Sequence, residues 1–187
     1  MIAINDSLCG FRFRSIAPED KYPFMSIRIE TSSVALLYDQ FPGFLDFNWK
    51  QILVDENELN MMVFRQSDGL FVATCSVQRL LEETLELGYD VVKELRGEGI
   101  GTKMVPALIE LAHDHFPARE IIVRIQKDNI ASQRVAEKSG AVFLGMEDAP
   151  EVEIIQNYLN SHEVVPNADK LRSVIEQKKH SVMVYRI

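Results

Sequence analysis

The feature that most constrains this chain is a change of period at Arg96-Gly97-Glu98-Gly99-Ile100-Gly101. Residues 84–92 before it read as a strand. After it, Ile100, Met104, Leu108, Leu111 and His115 recur at spacings of four or three, so a helix begins near Gly99. Three glycines therefore stand at a strand-to-helix corner. Glycine lets backbone approach a phosphate closely, while unpaired amides and the positive end of the helix dipole attract its charge. Thr102 adds a hydroxyl in the first turn. By itself such a turn also suits a plain tight helix entry.

Two common phosphate loops do not fit. The Lys-Ser/Thr pair of a Walker loop is missing at its required spacing. A dinucleotide turn needs two glycines one residue apart and a third three further on, whereas these fall at 97, 99 and 101.

The segments around the corner can be read in order. Phe11-Arg12-Phe13-Arg14-Ser15-Ile16 alternates as a half-buried strand, ended by Ala17-Pro18-Glu19-Asp20. Ser33 to Gln40 suits a short helix capped by Ser32 or Ser33 and stopped by Pro42-Gly43; Asp46 to Val54 suits a second. Asn60 to Arg65 and Leu70 to Arg79 are strands joined by Ser67-Asp68-Gly69, a good hairpin signal. With 84–92 they make an antiparallel meander.

Beyond the corner, the stripe continues past Pro106, which predicts one bent helix. Glu120 to Ile125 is a β-branched buried strand. Asp128-Asn129 opens a helix over about Ile130 to Ser139, with Gly140 as its stop. Ala141 to Gly145 and Ser181 to Arg186 are the last strands. Between them lies an insertion at about 147–180, with helices over Pro150 to Asn160 and Ala168 to Lys179 and a break at Pro166-Asn167. The expected fold class is α/β: one domain over 1–187 with a mixed sheet, an antiparallel meander and then splayed strands, flanked by helices.

Composition excludes several classes. The apolar fraction of 47% and charged fraction of 26% are those of an ordinary globular protein. A net charge of −8 argues against a nucleic-acid partner, whose phosphates call for a basic face. No apolar stretch approaches the ~20 residues needed to span a bilayer, and the first eleven residues lack the basic start of a secretory signal. A cytoplasmic chain with Cys9 and Cys75 reduced, each a small apolar residue, is the expectation. His113 and His115, two apart on a helix, do not share a face, so no metal site is expected. Phe44, Phe47 and Trp49, with Phe41, read mainly as core.

A second segment sharpens the reading. After the strand at 120–125 comes Asn129-Ile130-Ala131-Ser132, then Glu137-Lys138-Ser139-Gly140-Ala141. With Leu87-Gly88-Tyr89-Asp90-Val91 and the glycine turn, this resembles the GNAT (Gcn5-related) N-acetyltransferases, and within them the RimJ/RimL-like branch. The resemblance covers about 85–145. Ala141 departs from it where an aromatic is usual, and Ala136 where many relatives carry a Tyr.

The resemblance implies acetyl-CoA as donor cosubstrate and a primary amine as acceptor, by direct transfer in a ternary complex without a metal. Backbone groups of Tyr89, Val91 and Val92 would bond the pantetheine arm. The amides of Arg96, Gly97, Glu98, Gly99, Ile100, Gly101 and Thr102 would hold the pyrophosphate. Asn129 would hold the coenzyme arm, and Lys138 the 3′-phosphate if it is not merely solvated. Ser132 stands where RimL-like enzymes place a hydroxyl near the thiol.

Acetyl transfer requires the amine to lose a proton and the leaving thiolate to be stabilised. Ser132 is the candidate for the thiolate, or else a helix cap. Glu86, facing one side of its strand, and Glu151, in a position where RimL-like relatives carry a carboxylate, are the candidate bases; water is the alternative. The acceptor is a peptide N-terminus or a small amine such as a polyamine, antibiotic or amino acid. A non-catalytic acyl-CoA-binding regulator is the third reading. The insertion would serve as an acceptor cover or a homodimer face.

Overall fold

A computed structural model of the protein describes residues 3–31, 43–161 and 168–187. The helix expected over Ser33–Gln40, Phe41 and the break at Pro166-Asn167 lie outside the described residues. The chain divides into two compact units, Met1–Ile122 and Val123–Ile187.

In the first unit, β1 (Asn5–Leu8) and β2 (Phe11–Ser15) form a hairpin closed by Cys9 and Gly10. Both closing residues have positive φ, 51° and 85°, as a two-residue turn of primed type needs. A 3-10 turn over Pro18–Asp20 leads into α1 (Lys21–Thr31). Then come α2 (Phe44–Val54), β3 (Glu58–Arg65), β4 (Phe71–Gln78) and β5 (Thr84–Val91). The strands from β1 to β5 pair in chain order and antiparallel, so the expected meander is present. The β3–β4 turn falls at Ser67-Asp68-Gly69 as read, with Gly69 at φ 71°.

A second 3-10 turn, Lys93–Leu95, precedes α3 (Ile100–His115). This helix runs on through Pro106 and buries Ile100, Met104, Leu108 and Leu111. His115 departs from the stripe. It is exposed, with Nε2 2.7 Å from Asp6 Oδ2, because the last turn of α3 runs past the apolar cover. β6 (Glu120–Gln126) begins by pairing parallel to β5, over Thr84–Glu86 and Glu120–Ile122.

Alternation in the meander gives it two distinct faces. One carries Leu59, Met61, Val63, Ala73, Cys75, Val77, Leu85 and Leu87, all buried. The other meets α1 and α2 through an aromatic cluster of Phe24, Met25, Trp49, Ile52 and Met62, with the Phe24 and Trp49 rings 5.6 Å apart. Trp49 is core as expected, whereas Phe47 is 59% exposed and Phe44 half-buried. Asp20 fixes the entry to α1. It accepts two hydrogen bonds from Arg14, at 2.8 and 2.7 Å, and one from the Ala17 N–H.

In the second unit β6 is followed by α4 (Ile130–Lys138), β7 (Val142–Glu147), α5 (Pro150–Ser161), α6 (Ala168–Lys178) and β8 (Val182–Arg186). The strand order is β6-β8-β7, with β8 antiparallel to β7. Gly140, at φ 85°, ends α4 where the sequence placed its stop. Among the described residues no helix is long and apolar enough to cross a membrane.

The two cysteines differ. Cys75 is a buried apolar-type residue whose thiol is pushed well up by burial, but Cys9 is exposed on the hairpin turn and is not packed.

Candidate functional site

The glycine corner folds as its sequence requires. Gly97 and Gly99 sit at φ 87° and 79°, where a side chain is strained, and a Cβ on either would meet nothing within 4 Å. The glycines answer to backbone conformation, and the space in front of them is open. Gly99 is the N-cap of α3 and no side chain caps the helix. The first intrahelical bond of this turn is Lys103 N–H to Gly99 C=O, at 3.2 Å. An α-helix leaves its first amides without intrahelical partners, so Ile100, Gly101 and Thr102 present N–H groups at the positive end of a 16-residue helix.

The residues leading into the corner are engaged elsewhere. The Arg96 N–H bonds to Lys93 C=O, and its guanidinium turns back to Val91 C=O and to Glu30 of α1, each at 3.0 Å. The Val92 N–H bonds to Val72 C=O and its own carbonyl accepts from Leu95 N–H. Neither main-chain group of Val92 is therefore open to a ligand in the way the sequence led us to expect. The Val92–Val72 bond also fixes the phase of the ladder. Because hydrogen-bonded and non-hydrogen-bonded pairs alternate in an antiparallel ladder, Tyr89 and Val91 direct their main-chain groups away from β4. Glu98 is exposed, and its charge, after the Asp68 hydrogen bond and pairing, helps raise the Arg65 pKa.

The pocket face of β3, β4 and β5 was missed at the level of sequence. Register places Asn60 opposite Ser76, Ser76 opposite Gly88, and Thr74 opposite Asp90. These side chains share a face, and with Phe24 and Arg28 of α1 they line a pocket of about 80 Å³. Roughly 10–15 Å³ admits one water, so several heavy atoms fit. Asn60, Thr74 and Ser76 are buried. Gln78 donates to Ser76 Oγ at 2.9 Å. Gly88 keeps the floor open, since a Cβ there would lie 2.9 Å from Ser76 Oγ and 3.3 Å from Gln78 Nε2. Glu86 is on the same face of β5, paired with Gln78, but Asp90 is the carboxylate in the pocket wall.

Asn60 is the anomaly of the pocket. It is 4% exposed, and among the described residues its Nδ2 has no hydrogen-bond partner. A buried donor left unpaired costs about 1–3 kcal/mol. Arg28 lines the same pocket, with its guanidinium 3.8 Å from Glu58 Oε1.

The remaining candidates lie in the second unit. Asn129 caps α4, its side-chain oxygen accepting the Ser132 N–H at 3.1 Å. Ser132 is half-buried in the first turn and Lys138 is exposed in the last. Glu151 falls in the first turn of α5, and its side chain is outside the described residues. Among the described residues no group of three or more His, Cys, Asp or Glu side chains could hold a metal ion.

The sequence profile of the family described as Acetyltransferase (GNAT) domain matches residues 14–142, more than half of the chain. The chain belongs to this family. The matched range takes in the meander, the glycine corner and the capped start of α4.

Probable N-acetyltransferase YjcK of Bacillus subtilis (strain 168) is 26% identical over 95 residues, which is 49% of this chain and 52% of that protein. The match spans about half the length of this curated relative. Among solved structures, spermidine N-acetyltransferase from Vibrio cholerae, in complex with CoA and spermine, aligns with a TM-score of 0.66 at 12% identity, covering 96% of both chains. RimL, a ribosomal alpha-N-protein acetyltransferase in complex with coenzyme A, aligns with a TM-score of 0.64 at 14% identity, covering 98% of this chain and 97% of that one. At such identities the likeness is one of fold, here the mixed α/β fold of the GNAT family.

Proposed function

We propose that this GNAT chain transfers the acetyl group of acetyl-CoA to a primary amine, and that the acceptor is a peptide or protein N-terminus, as in the RimJ/RimL-like branch. The observation that carries the reading is the uncapped, glycine-built start of α3, in a chain that belongs to this family. The amides of Gly97 to Thr102 bind the pyrophosphate. Main-chain groups of Tyr89 and the N–H of Val91 take the pantetheine arm, with the Val91 carbonyl held by Arg96 and Val92 excluded by its own hydrogen bonds. Asn129 offers its NH2 to the coenzyme, its oxygen being committed to the cap. Lys138 meets the 3′-phosphate.

The chemistry is a direct displacement. The neutral amine attacks the thioester carbon, the new C–N bond forms as the C–S bond breaks, and the amine proton leaves. Glu86 or Glu151 receives that proton, directly or through water, and Ser132 donates to the departing thiolate. No covalent enzyme intermediate is required.

A spermidine-type acceptor is the second reading. Asp90 in the pocket wall and Glu58 beside Arg28 are carboxylates suited to a cation, and a fold relative was solved with spermine. Thiol release from acetyl-CoA, measured over peptides, polyamines, aminoglycosides and amino acids, separates the readings. Peptide-dependent release supports the first and polyamine-dependent release the second. Coenzyme binding with no release for any amine would make the chain a regulator. Ser132→Ala should slow turnover more than it weakens coenzyme binding; equal loss of both would reduce Ser132 to a contact.

A further inference from the structure

The pocket under α1 carries a pairing of charges that plain amines do not match. Its wall holds a carboxylate, Asp90, and a guanidinium, Arg28. Asn60 of β3 lines the same pocket, buried, with a donor that nothing among the described residues satisfies. A polyamine brings only N–H donors and positive charge along an alkyl chain. It leaves the Asn60 NH2 unpaired and places like charge beside Arg28. An α-amino acyl group brings an ammonium and, three bonds away, a carbonyl oxygen, which is the acceptor that Nδ2 lacks.

We infer that Asn60 is a specificity-determining residue, donating from Nδ2 to the carbonyl oxygen of an α-amino acyl acceptor. Asp90 receives the ammonium, and Arg28 reinforces the carbonyl end. The inference rests on the acetyl-transfer reading for its purpose but not for its test, which is a binding measurement. Sites built to hydrogen-bond a polar group reject analogues lacking it by large factors, because the buried protein group is then left unpaired. The small volume limits recognition to the terminal residue of the acceptor. The shared chemistry is thus a free peptide N-terminus or an amino-acid amide.

The experiment titrates alanine amide, an Ala-initiated tripeptide, isopropylamine and putrescine into the full chain in the presence of coenzyme A, using calorimetry. The wild type should bind both carbonyl-bearing ligands roughly tenfold or more tighter than the two amines, and that preference should collapse in Asn60→Leu. Asn60→Asp, of the same size but without the donor, should lose the preference too and gain affinity for putrescine. Coenzyme A affinity, which reports an intact fold, should stay unchanged in at least the Asp variant. Equal binding of amine and amide by the wild type would overturn the inference, as would a preference that survives both substitutions. A carbonyl preference in binding with no thiol release from acetyl-CoA would sink the transferase reading alone.

Discussion

Helix α3 and helix α4 begin in opposite ways. At α4 the Asn129 side chain accepts the Ser132 N–H, so the chain itself satisfies the helix start. At α3 the N-cap is a glycine, no side chain caps it, and no acidic residue lies in the first turn. Helix α2 also begins at a glycine, Gly43, without a side-chain cap, but its first turn holds Asp46, whose carboxyl is kept below its usual range by the Lys21 hydrogen bond. A negative charge there complements the dipole from within. Only at α3 are both devices withheld among these three starts. The lesson is that what a protein leaves undone at a helix end marks a candidate anion site.

The largest expected effect breaks this contrast at its centre. Gly99→Glu puts a carboxylate into the open space before α3 and imposes a side chain at φ 79°; calorimetry should show coenzyme A binding abolished. Unchanged binding would remove the corner from the site. Next in size is the 3-10 turn that leads into α1. Asp20 is 6% exposed; burial pushes its carboxyl up, but the Arg14 and Ala17 hydrogen bonds and the Arg14 charge outweigh this and lower it below 3.8. A depressed carboxyl stabilises the fold above its unfolded value and loses that contribution as pH falls through the folded value. Urea midpoints of the wild type should therefore drop as pH falls below about 4, and less so in Asp20→Asn, which should itself cost about 3 kcal/mol at neutral pH.

Removing the cap from α4 sharpens the contrast on a smaller scale. Asn129→Ala should cost about 1 kcal/mol in urea denaturation, and any additional loss of coenzyme affinity measures what its NH2 gives the ligand. A control on the two thiols has no energetic cost: a disulfide reagent should label Cys9 quickly, and Cys75 only as the protein unfolds.

Much of this architecture was readable because it is local. The period change at 96–101, the Ser67-Asp68-Gly69 turn and the Asn129 helix start each declare themselves within a few residues. The hairpin of β1 and β2 did not, since Cys9 is an uncommon residue for positive φ and Asn5–Leu8 is too short to show alternation. Helix α1 was hidden by Pro23, harmless in a first turn, and by an apolar face confined to Phe24, Met25 and Ile27 before a fourth apolar residue, Ile29.

The pocket was hidden for a different reason. Asn60, Thr74, Ser76 and Asp90 occupy the polar positions of alternating strands, a pattern that reads as a solvated face. Only the register between distant strands, and α1 lying over them, turns those positions inward. The repeated polar residues at every second position, Glu58 and Asn60, then Thr74, Ser76 and Gln78, were the available signal.

Gly88 carries a consequence for how the pocket under α1 would diversify. A single methyl at that position would press on the Ser76–Gln78 pair, so the depth of the pocket under α1 is set by one hydrogen atom where other residues have carbon. Lengthening that side chain stepwise would act as a ruler, trimming the size of whatever the pocket admits while the glycine corner at α3 is left as it is.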